Sequence, residues 1–438
     1  MRTVFLAVAT VSLPATALAA PTGELTPIAS PFDVNDYLRT SVVPADSGAD
    51  VGAFRFVCEP THTLRTDPIV YPGMQFAGHV HTFSGNGTVD GDTDYTSLRG
   101  SAPDASRCVG YAINQSAYWM PSLISKDGET FIPDYFNAYY KMPNSCAGAN
   151  STTAACQQVH EIPVGLQLVA GVNMNETDPA KIASNLKAVH ARCLRGNTAV
   201  ISDAKDFQSM WDAGCGTQDG DVIILAVSFP GCWNGDSLAD DHRSHVIPPV
   251  RNNNTGVVAC PASHPIQLPA MTQQMQYTLM AGDFETFTDP MTNTQKRRGP
   301  YLASDRFMGH VHPDGSTIHA DYMEAWDRSI LTRWHGSCLL GHRNCDESEL
   351  GDGQAGLYPP NFKFTAAARG QGRFYPPLPP EPQPEPDGAV TPDAGTDPGL
   401  TDPGSEPGGC CEASPGSKTN ALVVGFVALL LGRRRRRR

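Results

Sequence analysis

The signatures this sequence lacks narrow its reading first. Its 438 residues contain no HExxH, no G-x-S-x-G elbow and no calcium-loop consensus. That removes the usual basis for a zincin-type protease or an α/β-hydrolase. No CxxC pair occurs before the C-terminal tail, which argues against a cysteine-ligated zinc site. Basic residues are few: 32 Lys and Arg stand against 45 Asp and Glu, and six of the arginines close the chain. An acidic protein of this kind is a poor electrostatic match for DNA or anionic lipid, so no nucleic-acid partner is expected. No proline-rich linker interrupts the central part.

Composition divides the chain into five parts. Residues 1–20 join Arg2, a short apolar run and the small residues Ala17, Leu18, Ala19 and Ala20. They read as a secretory signal peptide. Residues 21–50 form a mixed lead-in, and residues 51–375 are the expected folded body. Residues 376–409 are an acidic Pro/Gly-rich tether without aromatic residues, unable to build a core. Residues 410–438 hold Cys410 and Cys411, the apolar run 421–431 and the block 433–438 of six arginines. The run is short for a full span of roughly 20 residues, but a cationic block behind it resembles a topogenic stop.

Ten cysteines lie in the body, an even number in an exported chain, which favours disulfides. Cys146 with Cys156, Cys338 with Cys345 and Cys232 with Cys260 are the expected short closures. Apolar and aromatic runs of strand length fall at 51–58, 74–83, 117–124, 130–142, 165–172, 222–228 and 264–280. The runs 117–124 and 130–142 flank Lys126-Asp127-Gly128 and read as an antiparallel pair joined by a polar turn. Helical spacing is confined to 178–193 and 321–339. The expected fold is mainly β: a β-sandwich or jelly-roll-like body with long loops and few helices.

Five polar segments carry the candidate chemistry. Residues 78–86, GHVHTFSGN, place His79 and His81 two apart, on one face if the segment is a strand. Residues 114–123 hold Gln115, Tyr118 and Trp119. Residues 229–245 hold Trp233, Asp241, His242 and His245, and residues 260–265 hold His264. The last segment runs from His310 and His312 through His319 and Asp321 to Asp327. Histidine ligates transition metals and moves protons near neutral pH. The metal candidates are therefore His79, His81, His245, His264 and His319, with a divalent transition metal as the cofactor such a set would take. The candidate catalytic residues are His79, His81, Tyr118, His242, His245 and Asp321. Asn86, Gln115, Trp119, Trp233 and Asp327 are the candidate substrate contacts.

These motifs resemble, in order, those of the secreted domain-of-unknown-function family nineteen ninety-six. His79, His81, Phe83 and Gly85 match its HxHxFxG element, and Ser116, Ala117, Tyr118, Trp119, Pro121 and Leu123 its SAYWxPSL element. Cys232, Trp233 and Gly235 match CWxG; His242, Ser244 and His245 match HxSH; Cys260, Pro261, His264 and Pro265 match CPxSHP. His319, Asp321, Trp326 and Asp327 match its last segment, with Ala320 and Tyr322 departing from the common glycine and phenylalanine. The resemblance implies secretion and a shared site, and brings no established activity. The C-terminal part resembles the myxobacterial sorting signal. That implies processing or anchoring around Cys410 or Cys411, and retention at the cell surface or outer membrane through membrane association of the tail.

Three functions follow as expectations. One is a glycan-active enzyme, lyase or hydrolase, acting on an extracellular polysaccharide with or without a metal. The second is a non-catalytic carbohydrate-binding or structural surface module. The third is an extracellular metal-binding protein. Ring nitrogens converging to about 3 to 3.5 Å would favour a metal, because Zn–N bonds are about 2.0 Å.

Overall fold

The architecture was analysed in a computed structural model. It describes residues 21–357 and 372–379, apart from 175, 177, 240, 255, 308 and 310. The expected signal peptide, most of the expected tether, Cys410, Cys411, the arginine block and His310 lie outside the described residues.

The described chain is mainly β, built on two open sheets. The strands used below are β1 (Ala53–Cys58), β2 (Pro60–Leu64), β3 (His81–Gly85), β4 (Ala117–Pro121), β5 (Tyr135–Lys141) and β6 (Gln167–Gly171). They continue with β7 (Val189–Arg195), β8 (Thr198–Ala204), β9 (Asp221–Ser228), β10 (Ala270–Leu279), β11 (His319–Met323) and β12 (Asn344–Cys345). The seven-stranded sheet runs β8-β7-β9-β10-β5-β1-β12 and the five-stranded sheet β2-β3-β4-β11-β6. All neighbours are antiparallel except β12 on β1.

The burial patterns follow from sequence. In β5 and β10 buried and partly exposed residues alternate strictly. Phe136, Tyr140, Met271, Met275 and Tyr277 point inward with Gln273, while Asn137, Lys141, Thr272, Gln274, Gln276 and Thr278 lie on the half-exposed face with Tyr135 and Tyr139, as expected for a sheet with one wet face. In β3, β4 and β11 every residue is buried, so the five-stranded sheet is covered on both sides. One side meets the seven-stranded sheet. There Tyr118 packs on Phe136 with ring centroids 4.8 Å apart, and the Tyr140 hydroxyl donates to that of Tyr322 at 3.2 Å. The other side carries a smaller core around Phe83, Trp119, Val169 and Met323.

Several sequence expectations need correction. The polar turn after residue 124 is present: Ser125 N–H donates to Glu129 O at 2.8 Å. Its flanks, however, pair only beside the turn, at the antiparallel bridge of Ile124 with Thr130 and through Phe131 N–H to Leu123 O at 2.9 Å. β4 belongs to the five-stranded sheet and β5 to the seven-stranded one, so the turn carries the chain between them. The helix expected over 178–193 covers only Pro179–Lys187, and the next residues enter β7. The segment 321–339 begins as β11, and its helix is Arg328–Trp334. Residues 21–30 of the lead-in are tied to the body: Thr22 N–H donates to Gly235 O at 3.0 Å and Ile28 N–H to the Tyr95 hydroxyl at 3.0 Å. The ten body cysteines form five disulfides: 58–108, 146–156, 193–215, 232–260 and 338–345. The three pairs expected from spacing are among them.

Candidate metal centre

Side-chain alternation selects the site. On β3, His81 and Phe83 share one face; on β11, His319, Asp321 and Met323 share one. Phe83 and Met323 belong to the outer core, so both histidines and Asp321 lie on the sheet face away from the seven-stranded sheet. Opposite residues on neighbouring strands share a face, and Trp119 stands directly across from Asp321. His79 precedes β3 rather than lying on it. Gly78, with φ +96°, turns the chain there, so the two-residue spacing works through a turn and not along a strand. Gly171, with φ +89°, stands opposite His319, where a Cβ would come within 2.6 Å of Ile318 O.

His79, His81 and His319 are buried and bring one ligand nitrogen each within 4.8 Å of one another. Every ring has its Nδ1 against a carbonyl oxygen: His81 on Thr66 O at 2.8 Å, His319 on Thr317 O at 2.9 Å and His79 on Val80 O at 3.3 Å. A carbonyl can only accept, so each Nδ1 carries the proton and each Nε2 is left with a bare lone pair. His79 Nε2 and His319 Nε2 nevertheless stand 3.2 Å apart, and His81 Nε2 is buried with no partner. Lone pairs held this close call for a cation. Two imidazoles on one tetrahedral zinc stand about 3.3 Å apart, given Zn–N bonds of about 2.0–2.1 Å.

Electrostatics agrees with neutral rings. Burial, reinforced by the neighbouring imidazole His319, pushes His81 down to about 3. Burial and the adjacent rings also hold His79 and His319 well below the usual histidine range.

A carboxylate pair adjoins the trio. Asp67, His81 and Asp321 form a second buried group within 4.8 Å. Both Asp321 oxygens are buried without a hydrogen-bond partner. Burial, then the charge of Asp67, raises Asp321 well above the usual carboxylate range, while Arg243 pulls it down. Asp67 accepts from Ile69 N–H at 3.1 Å and Val70 N–H at 3.0 Å, and burial still pushes it up to about 6. Asp305 braces His319 from behind: it accepts from the Thr317 hydroxyl at 2.6 Å, and Thr317 supplies the carbonyl that orients the ring. The third group of this kind, Cys193, Cys215 and Asp221, has its sulfurs joined in a disulfide and offers no thiolate.

The other candidate residues are placed elsewhere. His245 donates from Nε2 to Gln167 O at 2.7 Å, and Arg243 donates to Gly171 O at 3.0 Å. Gln167 and Gly171 present these carbonyls on the open side of the edge strand β6, so this loop caps a sheet edge. His264 has both ring nitrogens engaged, with Ser244 O at 2.6 Å and the Ser263 hydroxyl at 3.0 Å. Neither His245 nor His264 joins the trio, and half-buried His242, with φ +74°, does not either. Tyr118 lies between the sheets, where burial and Tyr140 raise its phenol well above the usual range. It is on the opposite face of the sheet from the imidazoles. Asn86 donates to Gln115 Oε1 at 2.9 Å and accepts from Thr88, which fixes a turn. Trp233 donates to Ser237 O at 2.5 Å within the core. Asp327 caps Arg328–Trp334 through Ser329 N–H and faces Arg99 at 3.5 Å. Trp119 alone among the expected substrate contacts shares the face of the site.

The sequence reading missed Asp67, Asp305 and the carbonyl partners Thr66 and Thr317. The available signal was weak, since each lies in a turn-rich stretch whose approach to the histidines depends on the sheet.

Comparison with known proteins gives one match. The profile of the family described as Domain of unknown function (DUF1996) matches residues 67–326, more than half of the chain. No curated protein and no solved structure matches it.

Proposed function

The chain belongs to the DUF1996 family, and from that premise we propose that it is an exported metal-binding protein centred on His79, His81 and His319. The observation that carries this reading is the approach of the His79 and His319 Nε2 lone pairs to 3.2 Å, with His81 grouped beside them and every Nδ1 held by a carbonyl. A purely structural histidine cluster would place a proton between neighbouring rings. Imidazole donors without thiolate suit a divalent transition ion such as zinc, copper or iron. Asp321 and Asp67 then compensate the charge of that ion.

The two sheets are read as the layers of a sandwich, supported by their shared tyrosine and tryptophan core. Export is supported by the five disulfides, which persist in oxidising compartments. Surface retention through the tail belongs to the same reading.

The test is the metal content of the purified full chain after dialysis against mixed divalent ions. About one ion per chain is expected, lost in His319→Ala and kept in His264→Ala. Equal metal in wild type and His319→Ala would refute the site.

A further inference from the structure

We propose that this metal centre keeps one coordination position for an exchangeable small anion, and that Arg243 is the residue that attracts it. The inference rests on the metal reading above and adds a ligand class to it.

The first ground is the ligand count. The three imidazoles form a group by themselves, whereas Asp67 and Asp321 group with His81 and not with the whole trio. Three protein ligands with a fourth position left to a small molecule is the pattern of reactive rather than structural zinc sites.

The second ground is charge. The imidazoles bind as neutral groups. A divalent cation with Arg243 outweighs the two carboxylates even when both are ionised, and by more when either holds a proton. A buried set with residual positive charge is costly without a counter-ion. A monovalent anion balances it.

The third ground is the surroundings. Trp119, cross-strand from Asp321 on the same face, has a buried indole N–H with no partner, a donor suited to an anionic acceptor. Arg243 stands between the site and the outside: it donates to Gly171 O at 3.0 Å, and Gly171 is opposite His319. The acidic groups around it are Asp321, Asp67, Asp241 and Glu176. It also lines a groove of about 640 Å³ with Gly171, Lys187, Ser228 and Ser244. Asp241 and Glu176 line the same groove, Asp241 exposed and Glu176 half-buried. Water screens them more than it screens the buried set. An anion in the groove therefore meets the positive side of the centre through Arg243.

The full chain loaded with Co2+ provides the test, read by its visible absorption during titration with azide. A saturable change in the cobalt bands is expected. Arg243→Gln should weaken azide binding about tenfold or more, from loss of a unit charge close to the ion. Arg243→Lys should restore most of it, and cobalt content should stay at the wild-type level in both variants. Cobalt-loaded wild type whose bands do not respond to azide would overturn the open position and leave metal binding standing. Azide binding as tight in Arg243→Gln as in wild type would overturn the role of Arg243. Wild type that retains no cobalt would overturn the metal reading as well.

Discussion

Asparagine at position 67 should stabilise the metal-free protein at neutral pH and leave its stability unchanged in acid. Asp67 Oδ1 accepts the N–H groups of Ile69 and Val70, and an amide oxygen can accept both, so the turn survives the substitution. What disappears is the charge. Burial pushes the carboxyl up to about 6, while the backbone donors and Arg243 pull it back only in part. A folded-state value above the unfolded one means that the native chain holds a proton the unfolded chain has released. The associated stability is fully present below the unfolded value, near pH 4, and is lost as pH rises through about 6. A gap of about two units corresponds to about 3 kcal/mol. Asp67→Asn should therefore gain up to about 3 kcal/mol near pH 7.5 and nothing near pH 4, with Asp321 relieved of a neighbouring negative charge. Urea denaturation in the presence of a chelator measures it. With slopes of about 1–3 kcal/mol/M, the midpoint should rise by about 1 M or more at the higher pH. Adding metal should shrink the advantage, because the ion then balances the carboxylate. An equal midpoint shift at both pH values, or a loss at both, would refute the charge argument.

Two further substitutions separate the faces of the five-stranded sheet. Gly171→Ala places a Cβ 2.6 Å from Ile318 O and 2.7 Å from the His319 Cα, at a left-handed backbone position. It should cost about 2–4 kcal/mol and lower the metal content of the folded fraction, measured by denaturation and metal analysis. Tyr118→Phe removes a hydroxyl that accepts from Asn114 at 3.3 Å. It should cost about 1 kcal/mol while metal content stays at the wild-type level. Metal loss in that variant would contradict the separation of core and site.

The fold was legible where one-dimensional patterns decide it. Aromatic content in 130–142 and loose alternation in 264–280 marked strands, and within them 135–141 and 270–279 bury every second residue because a one-sided sheet has one covered face. Pairing was less legible. Residues 117–121 and 135–141 both look like halves of a hairpin, yet β4 is apolar on both faces and β5 on one. That difference is itself a signal: a doubly buried strand belongs inside a covered sheet, and a half-wet strand belongs elsewhere. Cysteine spacing found only closures across 7, 10 and 28 residues. The link from Cys58 to Cys108 spans 50 residues and forms because the end of β1 makes an antiparallel bridge with Cys108 in the segment that leads into β4.

The site shows why a histidine-rich sequence overstates its own metal set. His79, His81, His245, His264 and His319 look equivalent as residues, and what separates them is which ring nitrogen the backbone occupies. In the trio a carbonyl takes Nδ1 and leaves Nε2 free of the backbone, and the Nε2 atoms of His79 and His319 face each other. In His245 a carbonyl takes Nε2, and in His264 both nitrogens are spent on neighbours. The HRSH stretch therefore works as a sheet-edge cap, with His245 and Arg243 satisfying two outward carbonyls of β6 that an additional strand would otherwise claim. Arg243 gains its second role from that same placement. The carbonyl it caps belongs to Gly171, the residue opposite His319. The loop that closes the sheet edge thus also brings a positive charge close to the histidine trio.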